Sequence, residues 1–166
     1  MIVSEKHLNT FQKAAAHLDK EVLKTLQIEI AVGEVMDSVC LKMYKTAWAN
    51  PNEDPLHSKS RIFFSIWAND ITLDEQKISY NIHAFKLRHL NGYAIESRKF
   101  ANLFRADFKQ LENEWPNVSV KFGPLTLMEG WVKLQPGNLQ NQIQTLANNF
   151  LEIIPLVDNT LAKFKR

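Results

Sequence analysis

RIFFSIW, residues 61–67, is the stretch of this chain that decides its fold. Side chains alternate across a β-strand, so Phe63 and Trp67 share one face, while the two isoleucines and Phe64 share the other. Both faces of this strand are therefore apolar. A strand of this kind has to be covered on both faces, because exposed apolar surface is unfavourable in water. The stretch predicts a strand inside a layered domain, covered by helices, by a second layer or by another subunit.

Length and composition fit one α+β domain spanning residues 1–166. The chain has 166 residues, of which 45% are hydrophobic, and ten phenylalanines and four tryptophans supply much of the bulk of a core. Cys40 is the only cysteine, which excludes an internal disulfide. Its neighbours Val39 and Leu41 are typical of a strand, so we expect a buried thiol.

The amino-terminal half predicts one helix followed by strands. After Ser4 as the N-cap, apolar residues recur at spacings of three and four from Leu8 to Leu26. A short, optional strand follows near residues 28–32, and a longer one covers residues 39–48. The turn residues NPNEDP then lead to RIFFSIW, and the polar segment NDITLDEQ connects it to the next strand.

The strand after this connection runs from Lys77 to Leu90. Its apolar positions change phase near Ala84, which predicts a bulge or a bend. Asn91 and Gly92 then end the strand.

The carboxy-terminal half predicts a helix, two short strands and a final helix. Ser97 caps a helix with phenylalanines at helical spacing, and the strands VSVKF and LTLMEGWVKL follow, the second interrupted at Gly130. Pro155 predicts a kink or two abutting helices, because proline removes a helical hydrogen bond. The order is therefore α-β-β-β-α-β-β-α. We expect a mainly antiparallel sheet of four to six strands with helices packed on it.

Motifs for several enzyme classes are missing. The five glycines form no GxSxG, GxGxxG or P-loop pattern, which leaves acyl transfer and phosphate-loop chemistry without support. His7 and His17 are about 15 Å apart along one helix and cannot share a metal ion. Glu75 and Lys77 have the E-x-K spacing of some metal-dependent nucleases, but they occur in a polar connection where such residues are common. The sequence predicts no catalytic, cofactor-binding or metal-binding residue, and no cofactor.

Charge divides the middle of the chain. Residues 28–76 hold four lysines and arginines against eight acidic residues, and residues 83–109 hold six against two. Within the basic segment, Arg98, Arg105 and Lys109 recur at helical spacing, and Arg88 precedes them. Because the guanidinium group suits phosphate and carboxylate, these four residues are the candidate anion-binding site. A solvated helix face is the alternative interpretation.

Our leading hypothesis is a non-enzymatic binding or assembly module of the cytoplasm, forming a homodimer or binding a protein partner. The apolar faces of RIFFSIW and the long final helix suggest more apolar surface than three helices cover. The alternative is a nucleic-acid or polyanion binder that uses the basic stripe, and the second alternative is the metal-dependent nuclease. No membrane partner is expected, because no window approaches the roughly 18 apolar residues needed to span a bilayer.

Overall fold

A five-stranded antiparallel sheet forms the centre of the protein. The computed structural model describes residues 5–57 and 61–166. The strands lie side by side in chain order, so β3, which contains RIFFSIW, is the central strand. Their bounds are Ile28–Val35 (β1), Ser38–Lys45 (β2), Arg61–Ala68 (β3), Lys77–Phe85 (β4) and Thr126–Lys133 (β5). The predicted α+β fold, with a mainly antiparallel sheet and helices packed on it, is confirmed.

Helices α1 and α5 pack on one face of the sheet. The α-helices span Glu5–Ala16 (α1), Lys20–Thr25 (α2), Asp70–Asp74 (α3), Ser97–Phe108 (α4), Leu139–Phe150 (α5) and Ile154–Ala162 (α6). On the central strand, the ring of Phe64 stacks on Phe150 of α5 with centroids 4.5 Å apart. Tyr80 and Trp115 extend this aromatic contact over β4, with centroids 5.1 Å apart. The sheet and the helices therefore share one apolar core.

The amino-terminal region differs from the prediction in three places. The single predicted helix is two helices, because Asp19 accepts hydrogen bonds from the backbone of Glu21 and Val22 and begins α2. The optional first strand is a full eight-residue edge strand. The polar connection after β3 contains the short helix α3, which begins with a capping box between Asn69 and Thr72. Ser4, the predicted cap of the first helix, lies outside the described residues.

The bend predicted near Ala84 is confirmed, two residues earlier than expected. The pairing of β4 with β5 shifts register between Ile82 and His83. The strand then ends at Phe85, where Lys86 adopts a left-handed backbone conformation with φ 46°. The predicted extension of this strand to Leu90 was wrong, because a short 3-10 helix covers Leu87–His89.

The carboxy-terminal region confirms the break at Pro155 and corrects the strands. Helix α5 ends at Phe150, and Pro155 lies in the first turn of α6, where its missing N–H costs nothing. The segment VSVKF is not a regular strand and pairs through a single bridge between Ser119 and Glu129. Strand β5 runs through Gly130 without interruption, because the missing side chain leaves room for the Tyr80 hydroxyl.

The second face of the sheet is covered by a loop and by polar side chains rather than by helices. Phe63 is 2% exposed on this face, and Trp67 is half-buried. The Lys42 ammonium lies 4.3 Å from the centroid of the Phe63 ring, and the Phe85 ring packs edge-on against the same Phe63 ring. The prediction that both faces of β3 are covered is therefore correct for Phe63 and only partly correct for Trp67. None of the described helices is long and apolar enough to cross a membrane.

Candidate functional site

We call the sheet surface opposite α1 and α5 the open face. Strand register places its side chains in cross-strand rows. One row contains Cys40, Trp67, Ser79 and Trp131, and the next contains Lys42, Ser65, Asn81 and Glu129. The second row crosses four strands with polar groups only. The centre of an otherwise aromatic surface is therefore polar.

Residues 49–57, the covering loop, lie over one side of the open face. Lys42 Nζ donates a hydrogen bond to the Leu56 carbonyl. The Arg61 guanidinium lies 4.3 Å from the Tyr44 ring and donates to the carbonyls of Asp54 and Pro55, at 3.2 and 3.4 Å. These contacts partly compensate the burial of two cationic side chains and attach the loop to the sheet, while Nε of Arg61 has no hydrogen-bond partner among the described residues.

Gly33 of β1 makes the close approach of the covering loop feasible. A Cβ atom at this position would lie 2.5 Å from Cδ2 of Leu56, which is far inside van der Waals contact. The loop therefore lies directly on the backbone of the edge strand.

The rest of the open face forms a pocket of about 500 Å³. This volume lies within the usual range for small-molecule sites. Its wall contains the aromatic side chains Phe63, Trp67, His83 and Phe85. Its polar lining is Asp37, Ser38, Cys40, Lys42, Ser65, Asn69, Asn81 and Glu129. A few polar groups among aromatic ones are typical of a ligand pocket.

Asn81 and Trp67 carry buried polar atoms that lack a partner among the described residues. Asn81 is 3% exposed, and its Nδ2 donates to Glu129 Oε1 at 3.2 Å. Its Oδ1 accepts no hydrogen bond, and Nε1 of Trp67 donates none. An unsatisfied buried polar atom costs about 1–3 kcal/mol, so such atoms in folded proteins are usually paired with protein, with ordered water or with a ligand. Both atoms belong to side chains that line the pocket.

His83 lies in the pocket wall with one ring nitrogen hydrogen-bonded. Its Nδ1 lies 3.3 Å from the Leu125 carbonyl oxygen and 3.3 Å from Thr126 Oγ1, so it donates to the carbonyl when it carries the proton and accepts from the Thr126 hydroxyl when Nε2 carries it. Burial lowers the pKa of His83, with smaller opposing effects from the hydrogen bond with Leu125 and from Glu129, so the ring is neutral at neutral pH. In a neutral ring with the proton on Nδ1, Nε2 is an acceptor. Phe85 stacks on the same ring, with centroids 4.7 Å apart.

The two reactive side chains in the pocket are both buried. Burial raises the pKa of the Cys40 thiol to about 11, despite the opposing effect of Lys42, so it remains protonated at neutral pH. The predicted buried thiol is confirmed. Burial is also the main cause that lowers the pKa of Lys42. The Lys42 ammonium is held by the Leu56 carbonyl and the Phe63 ring.

The structure distributes the four predicted anion-binding residues unevenly. Arg88, Arg98 and Lys109 are exposed. Arg105 is half-buried, and its guanidinium donates to the backbone carbonyls of the loop before β5 and of the first two residues of β5. These carbonyls belong to Phe122, Gly123, Thr126 and Leu127, at 2.8–3.1 Å. Burial, and secondly the charge of Arg98, lowers the pKa of Arg105. Because these guanidinium N–H groups already bind backbone carbonyls, Arg105 does not have them available for an anion.

The E-x-K pair is split between two elements. Glu75 follows α3 and is exposed, whereas the Lys77 ammonium lies over the Trp131 ring, 4.4 Å from its centroid. In the described part of the chain, no group of three or more His, Cys, Asp or Glu side chains is placed to hold a metal ion. The nuclease hypothesis stays a prediction, which Mg²⁺-dependent cleavage of DNA or RNA, lost in Glu75→Gln, would test.

Sequence reasoning missed the pocket residues. Lys42, Ser65, Asn81 and His83 each interrupt an apolar strand at the period of two that defines one face. That alternation was visible, but whether such residues faced water or another surface depended on the covering loop. The structure shows Lys42 and Tyr44 buried on the open face.

Fold and site define an α+β protein in which helices cover one face of an antiparallel sheet and a polar, aromatic-lined pocket occupies the other. Comparisons with known protein families, curated proteins and solved structures find no match for this chain.

Proposed function

We propose that this chain is a non-enzymatic binding module that holds a small molecule in the pocket of the open face. One observation carries the proposal: Asn81 Oδ1 and Trp67 Nε1 are buried and unpaired, and both side chains line an aromatic pocket of about 500 Å³. A ligand with complementary groups would recover the free energy that each unpaired atom costs.

The state of the reactive side chains supports binding over covalent chemistry. Cys40 remains a thiol at neutral pH, and a thiol is a poor nucleophile. The ammonium of Lys42 already has a carbonyl and an aromatic ring as partners. These groups shape and polarise the pocket.

A ligand screen by thermal unfolding tests the proposal. A ligand at 100 times its Kd stabilises the folded state by about 2.7 kcal/mol, which raises the Tm of a chain of this size by roughly 5–11 °C. Asn81→Ala should remove this shift. Asn102→Ala, on the exposed side of α4, is the matched control and should retain it. Equal shifts in both variants would place the ligand elsewhere and contradict the proposal.

Homodimer formation is a second candidate function, which two exposed apolar side chains favour. Met36 is 94% exposed and Ile71 is 70% exposed. A hydrogen bond from Asn69 Nδ2 to Ser38 Oγ, at 3.4 Å, joins the turn of Met36 to the start of α3. The two side chains therefore lie at the same end of the sheet, and Met36 also lines the pocket. Sedimentation should show a dimer that Met36→Lys with Ile71→Lys dissociates, and a monomeric parent protein would refute this candidate.

Polyanion binding stays a prediction that rests on the exposed residues Arg88, Arg98 and Lys109. Replacing these three with glutamate should abolish binding of a nucleic acid and remove its dependence on salt, because each phosphate contact releases counterions. Arg105 is left unchanged, because its loss would disturb the loop before β5. Unchanged affinity in the triple variant would eliminate this function.

A further inference from the structure

We infer that the pocket binds an elongated aromatic carboxylate, with its anionic end toward Lys42 and a hydrogen-bond donor at its other end toward Asn81. The inference rests on the proposed function and names the class of ligand for the same pocket. We call the cross-strand row of Lys42, Ser65, Asn81 and Glu129 the polar row. The inference follows from the charges at the two ends of this row, from its donors and acceptors, and from the aromatic side chains beside it.

Lys42 and Arg61 are buried cations with neutral partners only. Lys42 is 7% exposed and Arg61 is 1% exposed. Each donates to carbonyls of the covering loop and lies over an aromatic ring, and neither forms a salt bridge in the part of the chain that the structure describes. A buried charge is usually paired with an opposite one, because removal of an ion from water is costly. Since Lys42 lines the pocket, the carboxylate of a ligand can supply this opposite charge.

The acidic side chains around the pocket are more exposed than this lysine. Asp37 is exposed and Glu129 is half-exposed, so water screens their charges. Asp54 of the covering loop is exposed as well, and its carboxylate accepts from two backbone N–H groups of its own loop. Glu129 lies three strands away from Lys42, which is roughly 14 Å between the backbones. The Lys42 end of the polar row is therefore the end that favours an anionic group.

Donors and acceptors of the pocket lie on different strands. The ammonium, hydroxyl, thiol and indole donors belong to β2 and β3, in Ser38, Cys40, Lys42, Ser65 and Trp67. The Asn81 side chain on β4 offers an unpaired acceptor, and the Glu129 carboxylate lies beside it on β5. Lys42 and Asn81 are two strands apart, which is roughly 9–10 Å between the backbones. A ligand that spans this distance needs a strong acceptor at one end, such as a carboxylate, and an N–H or O–H group at the other.

Aromatic side chains flank the polar row on both sides. Phe63 and His83 pair with each other in the next row on one side, and Trp67 lies in the next row on the other. Phe85 stacks on the His83 ring. Trp67, His83 and Phe85 are half-buried, so part of each ring surface is accessible to a ligand. A flat aromatic body along the polar row gains from contact with these rings, whereas a flexible aliphatic chain would lose more conformational entropy on binding.

Two probes that differ in charge test the anionic end by titration calorimetry at neutral pH. 6-Hydroxy-2-naphthoate carries the carboxylate, the flat body and a hydroxyl donor, and 6-hydroxy-2-naphthamide replaces the carboxylate with a neutral amide of similar shape. We expect the naphthoate to bind at least about tenfold more tightly, because the amide leaves the buried Lys42 without an opposite charge. Equal or tighter binding of the amide would overturn the inference.

A third probe tests the donor end. 2-Naphthoate lacks the hydroxyl group and should bind at least about threefold more weakly than 6-hydroxy-2-naphthoate, because it leaves Asn81 Oδ1 unpaired. In Asn81→Ala the two naphthoates should bind equally. Equal affinities in the parent protein, or a difference that persists in Asn81→Ala, would overturn the placement of the donor end.

Variants locate the anionic end. Lys42→Met removes the charge and keeps an unbranched side chain, so the preference of 6-hydroxy-2-naphthoate over its amide should disappear. Lys77→Met is the matched control and should keep this preference, because the Lys77 ammonium also lies over an aromatic ring, 4.4 Å from the Trp131 centroid, but outside the pocket lining. Ser65→Ala removes the hydroxyl directly opposite Lys42 and should weaken binding of the naphthoate at least about threefold, which tests the same end if Lys42→Met fails to fold. An unchanged preference in a folded Lys42→Met, or unchanged affinity in Ser65→Ala, would overturn the assignment.

The two levels of the proposal fail differently. If none of the three probes binds while another compound from the thermal screen is lost in Asn81→Ala, the ligand class is wrong and the pocket still binds a small molecule. If no compound depends on Asn81, both the class and the proposed function are wrong.

Discussion

Gly130→Ala tests the packing that lets β5 run without interruption. A Cβ atom at Gly130 would lie 2.3 Å from the Tyr80 hydroxyl oxygen and 2.5 Å from Cζ. Tyr80 is fully buried between Phe64 and Trp115, so its ring cannot move aside freely. Its hydroxyl also donates to the Pro116 carbonyl at 2.6 Å, a bond that a displaced ring would lose.

The expected destabilisation is the sum of these two effects. Overpacking costs about 1–3 kcal/mol, and the lost hydrogen bond adds about 0.5–1.5 kcal/mol. Gly130→Ala should therefore lower the free energy of unfolding by roughly 2–4 kcal/mol. For a chain of this length, the Tm should fall by roughly 5–15 °C, followed by circular dichroism or by urea denaturation.

Gly123→Ala is the matched control for this experiment. A Cβ atom there meets nothing within 4 Å, and the backbone is not in the left-handed region. The free energy of unfolding should change by less than about 1 kcal/mol, with a small gain from the restricted unfolded chain. A change of less than about 0.5 kcal/mol in the free energy of unfolding of Gly130→Ala is typical of a surface substitution. That result would show that Tyr80 does not pack tightly against Gly130 of β5.

Three further predictions concern buried charged and reactive groups. With a pKa of about 11, only about one part in a thousand of Cys40 is thiolate at pH 8. Iodoacetamide should therefore label Cys40 at least 100-fold more slowly than it labels the thiol of glutathione. Equal labelling rates would contradict the burial of Cys40. Asp158 accepts from Lys45 Nζ and Trp48 Nε1 at 2.7 and 2.8 Å, so Asp158→Ala should cost roughly 1–3 kcal/mol in urea denaturation. Asp158→Asn keeps an acceptor and should cost clearly less; equal losses would exclude the Trp48 bond as the cause. Burial lowers the pKa of Lys42 in the folded state below its ordinary value of 10.5. At a pH between the folded-state pKa and 10.5, Lys42 binds more protons in the unfolded chain than in the folded one, so the free energy of unfolding rises with pH in this window. Urea denaturation between pH 7 and 10.5 should show a smaller rise in the free energy of unfolding for Lys42→Met than for the parent protein. Parallel pH profiles of the two proteins would refute the role of Lys42 in this rise.

The sequence predicted the elements whose period is long and regular. Strand β3 and helix α4 were predicted because apolar residues alternate in one and recur at helical spacing in the other. The break at Pro155 followed from backbone chemistry alone. Helix α3 was missed because five residues are too few to display a helical period, and its capping box lies in a segment that also suits a turn.

The site was less predictable because it depends on contacts between distant segments. Lys42 and Arg61 bond to the covering loop, and Arg105 bonds to a loop some twenty residues later in the chain. Helical spacing predicts Arg98, Arg105 and Lys109 on one stripe, but it gives no information on which of their donors already bind the backbone. The polar row through Asn81 and Glu129 required the strand register, which no local pattern supplies.

The two cationic side chains that attach the covering loop to the sheet place no demand on the loop's own side chains. Lys42 and Arg61 bind carbonyl oxygens of residues 54–56, and every amino acid provides a carbonyl. Leu56, whose side chain lies against Gly33, is constrained by shape, and the side chains of Asn50 and Asp54 hydrogen-bond to backbone groups. With these three residues kept, the loop is a suitable segment for randomised libraries, in which new side chains could be displayed beside the pocket while the two cationic anchors on the sheet keep the backbone in place.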